Sequence, residues 1–281
     1  MKREQTMHGV TKKRPLLVRF PGAGPARVHL VCVAHAGAGV APFNRWADHL
    51  PSWVSLIAVR LPGRESRLRE SPLTSLDAAA GEVAGELAAQ EGPLAFFGHC
   101  FGAVLAYRAA RLMERTGRDD ILRLVVAAAP APDRTVGQDT HRLSGDALFQ
   151  QLARYGAVQN TDRGRTLFEL SEPAIRADFQ ALETWQPGDE ATRPLAAPVL
   201  EVRGDSDEVL EPGTAGWSPW TTSEHRRLTV PGPHFLLGDA VGGLLAVIAR
   251  QLEEDLSREQ PRPATGPHPV PSNTAPRSGG I

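Results

Sequence analysis

The chain has 281 residues, 41% hydrophobic and 22% charged, which suits an ordinary globular protein with a substantial core. Thirty-one basic residues against thirty-two acidic ones leave a formal charge of -1, so no polyanion-binding surface and no nucleic-acid partner are expected. Two cysteines, Cys32 and Cys100, argue against a disulfide scaffold and fit a reducing compartment, and no apolar run approaches the roughly 20 residues that span a bilayer. The basic start MKREQTMHGVTKKRP has no apolar segment behind it and so does not read as a secretory signal. A cytoplasmic protein with no membrane contact is therefore expected.

Residues 1–14 read as a flexible segment. A single domain over 15–256 then alternates short apolar runs with helical patterns, the mark of an α/β protein on a mostly parallel sheet. Strands are predicted in RVHLVCVAHAG from Arg27 and VSLIAVRLPG from Val54. Ser75 is placed to cap the helix LDAAAGEVAGELAAQ, in which Leu76, Ala80, Val83 and Leu87 recur at helical spacing. PLAFFGH from Pro93 is the next strand, and FGAVLAYRAARLMERTG the next helix, closing on Gly117. After the strand ILRLVVAAAPAP from Ile121 the alternation stops: residues 132–194 hold two amphipathic patterns, SGDALFQQLARYG and EPAIRADFQALETW, with no strand between them. Such an insertion suits a helical lid over the carboxyl ends of the strands. APVLEVRGD from Ala197 and HRRLTVPG from His225 are the last strands, and FLLGDAVGGLLAVIARQLEEDL the last helix. Residues 257–281 are rich in Pro, Gly and Ser and read as a disordered tail.

Gly98-His99-Cys100-Phe101-Gly102 fits G-x-C-x-G, a cysteine version of the strand–turn–helix elbow that presents a nucleophile. Flanking glycines are needed where side chains would strike neighbouring backbone, and the following helix directs its positive end at the turn. Cys100 is thus a candidate nucleophile, against the alternative of a small buried hydrophobe; Cys32, inside an apolar strand, reads as core. The base candidate is His234 in VPGPHFLLGD, a Gly/Pro loop between the last strand and the last helix. His35 and His99 lie beside turns whose backbone is the functional part, while His225, His141 and His268 fall in a strand, the lid and the tail. For the acid that would orient His234, VRGDSDEV makes Asp207 the better choice and leaves Asp133 in APAPDR as the alternative; Asp205 reads as a turn-former bonded within its own loop. An oxyanion hole needs backbone N–H groups, which AHAGAG after the first core strand supplies through Ala36, paired with Phe101. No Walker, G-x-G-x-x-G, H-E-x-x-H or CxxC pattern is present, so neither cofactor nor metal is expected.

These segments, in this order, resemble the type II thioesterases of polyketide and nonribosomal peptide assembly lines, within the α/β-hydrolase fold. AHAGAG…FNRWADHLP, VRLPGRESRL, FFGHCFGAVLAYRAA, AIRADFQALETW, VRGDSDEV and VPGPHFLLGD carry the likeness, over about Arg27 to Leu256. The resemblance implies a triad of Cys100, His234 and Asp207, oxyanion donors at Ala36 and Phe101, and substrates held as thioesters on the phosphopantetheine of acyl- or peptidyl-carrier proteins. Cys100 departs from the serine usual in that family. Hydrolysis and transfer of the acyl group to another carrier or an amine both stay open, as does a homologue that only binds carriers. A monomer is expected.

Overall fold

The structure, a computed structural model, describes residues 14–259 apart from 21, 23, 136–138, 189–192, 211–215 and 238–240. The first thirteen residues, most of the predicted tail and His268 lie outside the described residues.

Among the described residues, seven strands make one sheet: β1 (Leu17–Phe20), β2 (Val28–Val33), β3 (Val54–Val59), β4 (Leu94–His99), β5 (Ile121–Ala127), β6 (Val199–Gly204) and β7 (His225–Val230). Their spatial order is β1-β3-β2-β4-β5-β6-β7, with β1 antiparallel to β3 and every other pair parallel. The six predicted core strands are all present. The seventh, β1, has only four residues at a sheet edge, too few for a period-two pattern to stand out; its pairing with β3 defines it.

β4 and β5 are buried along their whole length, as strands covered on both faces must be, which is why they read as continuous apolar runs. Helices α1 (Leu76–Leu87) and α2 (Phe101–Arg115) cover one face, and α5 (Val241–Glu259) covers the other. The Ser75 hydroxyl accepts from the N–H of Ala78 and caps α1, and the four predicted apolar positions of that helix are buried. α5 is described from Val241; Phe235, where its apolar stripe begins, lies in a ring cluster with His35, His99 and His234 and not in a helical turn. It also continues to Glu259, three residues into the stretch read as tail.

Between β5 and β6 lie α3 (Gly145–Arg154) and α4 (Asp162–Thr184), and no strand among the described residues. α4 begins ten residues before the predicted EPAIRADFQALETW pattern: Thr161 caps it through the Gly164 N–H, and it runs through Pro173. An interior proline costs roughly 3 kcal/mol, offset here by burial of Phe168, Ala174, Ile175, Ala177 and Asp178. Phe149, Leu152 and Phe168 pack into a small core of α3 and α4.

The chain passes from β2 outward to β3 and then crosses to β4 on the other side of β2. The loops leaving the carboxyl ends of β2 and β4 therefore face each other at the switch point, where open α/β sheets hold their ligands.

Candidate active site

Cys100 sits at that point with φ 54° and ψ −119°, a conformation that costs a non-glycine residue on the order of 1–3 kcal/mol. The neighbours enforce the turn. A Cβ on Gly98 would lie 2.2 Å from the Gly102 carbonyl oxygen, and one on Gly102 would lie 2.3 Å and 2.4 Å from the carbonyl oxygens of Val33 and Ala34. Close backbone approach thus excludes side chains at both positions and packs the start of α2 onto the end of β2. The Cys100 N–H donates to the Ala127 carbonyl at 2.9 Å, tying the turn to β5. Cys100 is partly exposed, whereas Cys32 is sealed in the core, where burial pushes its thiol well above the usual range.

His234 faces this turn. Its Nδ1 lies 3.1 Å from both carboxylate oxygens of Asp207, so the proton on Nδ1 points to the acid and Nε2 is left for the Cys100 side. The Asp207 carboxylate is fully enclosed and accepts two further bonds, from the N–H groups of Val209 at 2.9 Å and Leu210 at 3.2 Å. Asp133, the alternative acid, is not there: it belongs to a short 3-10 turn, Pro132–Arg134, with its side chain half exposed and 3.6 Å from Arg134. Asp205, expected to bond within its own loop, instead accepts from the Gly232 N–H across to the loop after β7.

The electrostatics follow from this arrangement. Burial alone would depress His234, but the hydrogen bonds to Asp207 and Cys100 and the charges of both groups overcome it and raise the ring to about 9. For Asp207 burial acts upward, and the His234 hydrogen bond and charge, with the two backbone donors, bring it below the usual carboxylate value. The site therefore favours an imidazolium between the Asp207 carboxylate and the Cys100 sulfur.

Two further histidines complete the cluster, and sequence reasoning had set both aside. His99 is wholly buried, and its Nε2–H donates to the His234 carbonyl at 2.8 Å, so the elbow's own residue anchors the loop that carries His234. The rings of His35 and His99 stand 5.6 Å apart, and those of His99 and His234 5.4 Å. Burial, then the charges of His35 and His234, hold His99 well below its ordinary value; burial, then His234 and Arg64, bring His35 down to about 4. One charged ring thus stands beside two neutral ones. The signal for His99 was its place inside G-x-C-x-G, but a bond between residues 135 apart has no local signature.

Ala36 lies in the loop after β2 and packs against the cluster that contains Phe101, the first residue of α2. The N–H of a first helical residue has no acceptor within its helix and points out of the N-terminus. The structure thus brings together Cys100, His234 and Asp207, sets the loop after β2 beside the start of α2, and leaves Asp133 outside. Among the described residues, no group of three or more His, Cys, Asp and Glu side chains is arranged to hold a metal ion. Nor is any described helix long and apolar enough to cross a membrane.

A mostly parallel seven-stranded sheet with a residue in the elbow after β4 and a His–Asp pair on the loops after β7 and β6 defines an α/β-hydrolase fold. Within that class, the family model described as Thioesterase domain matches residues 28–253, and the chain belongs to that family. It is 35% identical over 229 residues to Thioesterase PikA5 of Streptomyces venezuelae, covering 79% of each chain. It is 28% identical over 231 residues to the Gramicidin S biosynthesis protein GrsT of Aneurinibacillus migulanus, covering 81% of this chain and 90% of the other. Among solved structures, the type II thioesterase BorB from the borrelidin biosynthetic cluster matches with a TM-score of 0.75 at 32% identity, over 84% of this chain and 97% of that one.

Proposed function

We propose that the protein hydrolyses acyl thioesters carried on the phosphopantetheine of carrier proteins in polyketide or nonribosomal peptide biosynthesis, with Cys100 as nucleophile. The observation that carries this reading is His234, held through Nδ1 by Asp207 and raised to about 9 in part by Cys100 on its other side, in a chain of the thioesterase family. The Cys100 sulfur attacks the acyl carbon while the carbonyl oxygen takes up charge beside the N–H groups of Ala36 and Phe101. Collapse breaks the carbon–sulfur bond to the pantetheine thiol, which leaves with the proton of the His234 imidazolium. His234, neutral now and held by Asp207, takes a proton from water as it attacks acyl-Cys100; the free acid departs and the Cys100–His234 pair is restored. The chemistry as written needs neither metal nor cofactor.

Sulfur at position 100 favours a second outcome. Acyl-Cys100 is itself a thioester, so acylation is nearly isoenergetic and the acyl group stays activated for passage to another carrier thiol or to an amine. Acyl carrier would be incubated with the protein and an empty second carrier, and every species followed by intact-protein mass spectrometry. Free acid is the expected product; a loaded second carrier would replace hydrolysis with transfer, and absence of an acyl adduct on Cys100 during turnover would remove the nucleophile assignment. Cys100→Ser should shift the products further towards free acid, because an oxyester no longer stores thioester activation.

A further inference from the structure

Two charged side chains with no part in the reaction above grip the loop that carries Ala36. Asp178, on α4, is 1% exposed, and Arg64, in the loop after β3, is 5% exposed. They pair through two bonds, Arg64 Nη1 to Asp178 Oδ2 at 2.7 Å and Arg64 Nη2 to Asp178 Oδ1 at 2.9 Å. Asp178 Oδ2 also accepts the backbone N–H of Gly37 at 2.7 Å, and Arg64 Nη1 also donates to the carbonyl of Ala38 at 3.1 Å. The residue next to Ala36 is thus held by a carboxylate 141 residues away, and the residue after that by the guanidinium that orients the same carboxylate.

The fit leaves little freedom. Gly37 has φ +77°, and a Cβ there would lie 2.2 Å from Cγ1 of Ile175, which is three residues before Asp178 and so on the same side of α4. Glu65, beside Arg64, continues the grip by accepting the N–H groups of Val40 at 2.9 Å and Ala41 at 3.0 Å. A buried ion pair seldom adds net stability over apolar packing, because desolvating both charges opposes their attraction. A bidentate guanidinium does, however, fix the plane of a carboxylate, and with it the direction in which the remaining lone pair accepts.

We propose that Asp178 and Arg64 are positioning residues that orient the Ala36–Gly37 backbone for oxyanion stabilisation, so that the site is assembled only while α4 rests on the β2 loop. The inference rests on the assignment of Ala36 as an oxyanion donor. It makes α4 part of the catalytic geometry.

The test compares full-length wild type with Asp178→Ala, Asp178→Asn and the double variant Arg64→Met/Asp178→Leu, which removes the pair without leaving a lone buried charge. Two rates are read in each: acylation of Cys100 by an acyl N-acetylcysteamine thioester, and its alkylation by iodoacetamide. Alkylation needs the sulfur and His234 but develops no oxyanion. Acylation and kcat are expected to fall about 10- to 100-fold in Asp178→Ala and the double variant, the size of effect that misplacing a catalytic group by about an ångström produces. KM and alkylation should stay near wild type, and Asp178→Asn, which keeps an oxygen for the Gly37 N–H, should recover most of the loss. A folded double variant with wild-type acylation would overturn the proposal, as would parallel loss of acylation and alkylation, which a purely structural role would give. Wild type that alkylates without acylating would instead bring down the underlying assignment of the site.

Discussion

The elbow at Cys100 and the loop after β2 meet at one site, yet opposite kinds of constraint hold them. At the elbow the constraint is steric and local: Gly98, Cys100, Gly102 and Ala103 lie within six residues, and their backbone atoms leave no room for another path. The loop has a single turn bond of its own near the site, from the Ala38 N–H to the His35 carbonyl. Otherwise its shape comes from Glu65, 25 residues away from Val40, and from Asp178, 141 residues away from Gly37. Such a turn leaves a trace in a pentapeptide, because close backbone approach here excludes side chains at Gly98 and Gly102. A loop held by distant charges takes its shape only once three segments have docked.

The sharpest way to break this contrast is at Gly98. A Cβ there would lie 2.4 Å from the Cα of Ala103 as well as 2.2 Å from the Gly102 oxygen, both backbone atoms that cannot swing aside. Gly98→Val should therefore destabilise by more than about 4 kcal/mol, read as loss of the cooperative urea transition by circular dichroism. A folded Gly98→Val protein would show that the elbow is held from outside after all.

Next in size is the acid, which lies outside both regions and orients the residue between them. Asp207→Asn should lower kcat by about 10²–10⁴-fold, because an amide at Nδ1 no longer stabilises the imidazolium or selects its tautomer. Asp133→Asn, half exposed and away from His234, should leave the rate near wild type. Steady-state hydrolysis of an N-acetylcysteamine thioester checks both, and equal losses would reopen the choice of acid.

The smallest effect compares the histidines that begin the loop and precede Cys100. His35 and His99 have folded values below the ordinary 6.5, so their contribution to stability is complete above pH 6.5 and is lost as pH falls towards about 4, where the unfolded chain takes up protons that the folded one refuses. His234 is raised to about 9, so its contribution is complete below pH 6.5 and is lost as pH rises through 9. The rise corresponds to about 3 kcal/mol. Urea midpoints between pH 4 and 9.5 should peak near pH 6.5, with His35→Gln flattening the acid limb and His234→Gln the alkaline one. A flat profile would mean that the three rings do not share one buried cluster.

Much of this was readable before any fold was built. Continuous apolar runs marked the core strands, Ser75 and the spacing of Leu76, Ala80, Val83 and Leu87 marked α1, and the glycines around Cys100 marked the elbow. The edge strand β1 was not legible, because four residues carry too little pattern, nor was the true start of α4, because Pro173 near the head of a pattern reads as a helix beginning. Phe235 shows the opposite case: it continues the apolar stripe of α5 by sequence but packs among histidines by contact.

The sequence by itself determined the alternating α/β plan and the strand–turn–helix elbow, which rest on periodicity and on backbone sterics within a few residues, while the family was legible as a resemblance of several short segments in order. Only the tertiary structure decided that Asp207 and not Asp133 meets His234, that His99 anchors the His234 loop, and that Arg64 and Asp178 hold the backbone beside Ala36. Those are hydrogen bonds and ion pairs between residues brought together by chain crossing. Their strength depends on distance and burial in space, which linear order does not encode.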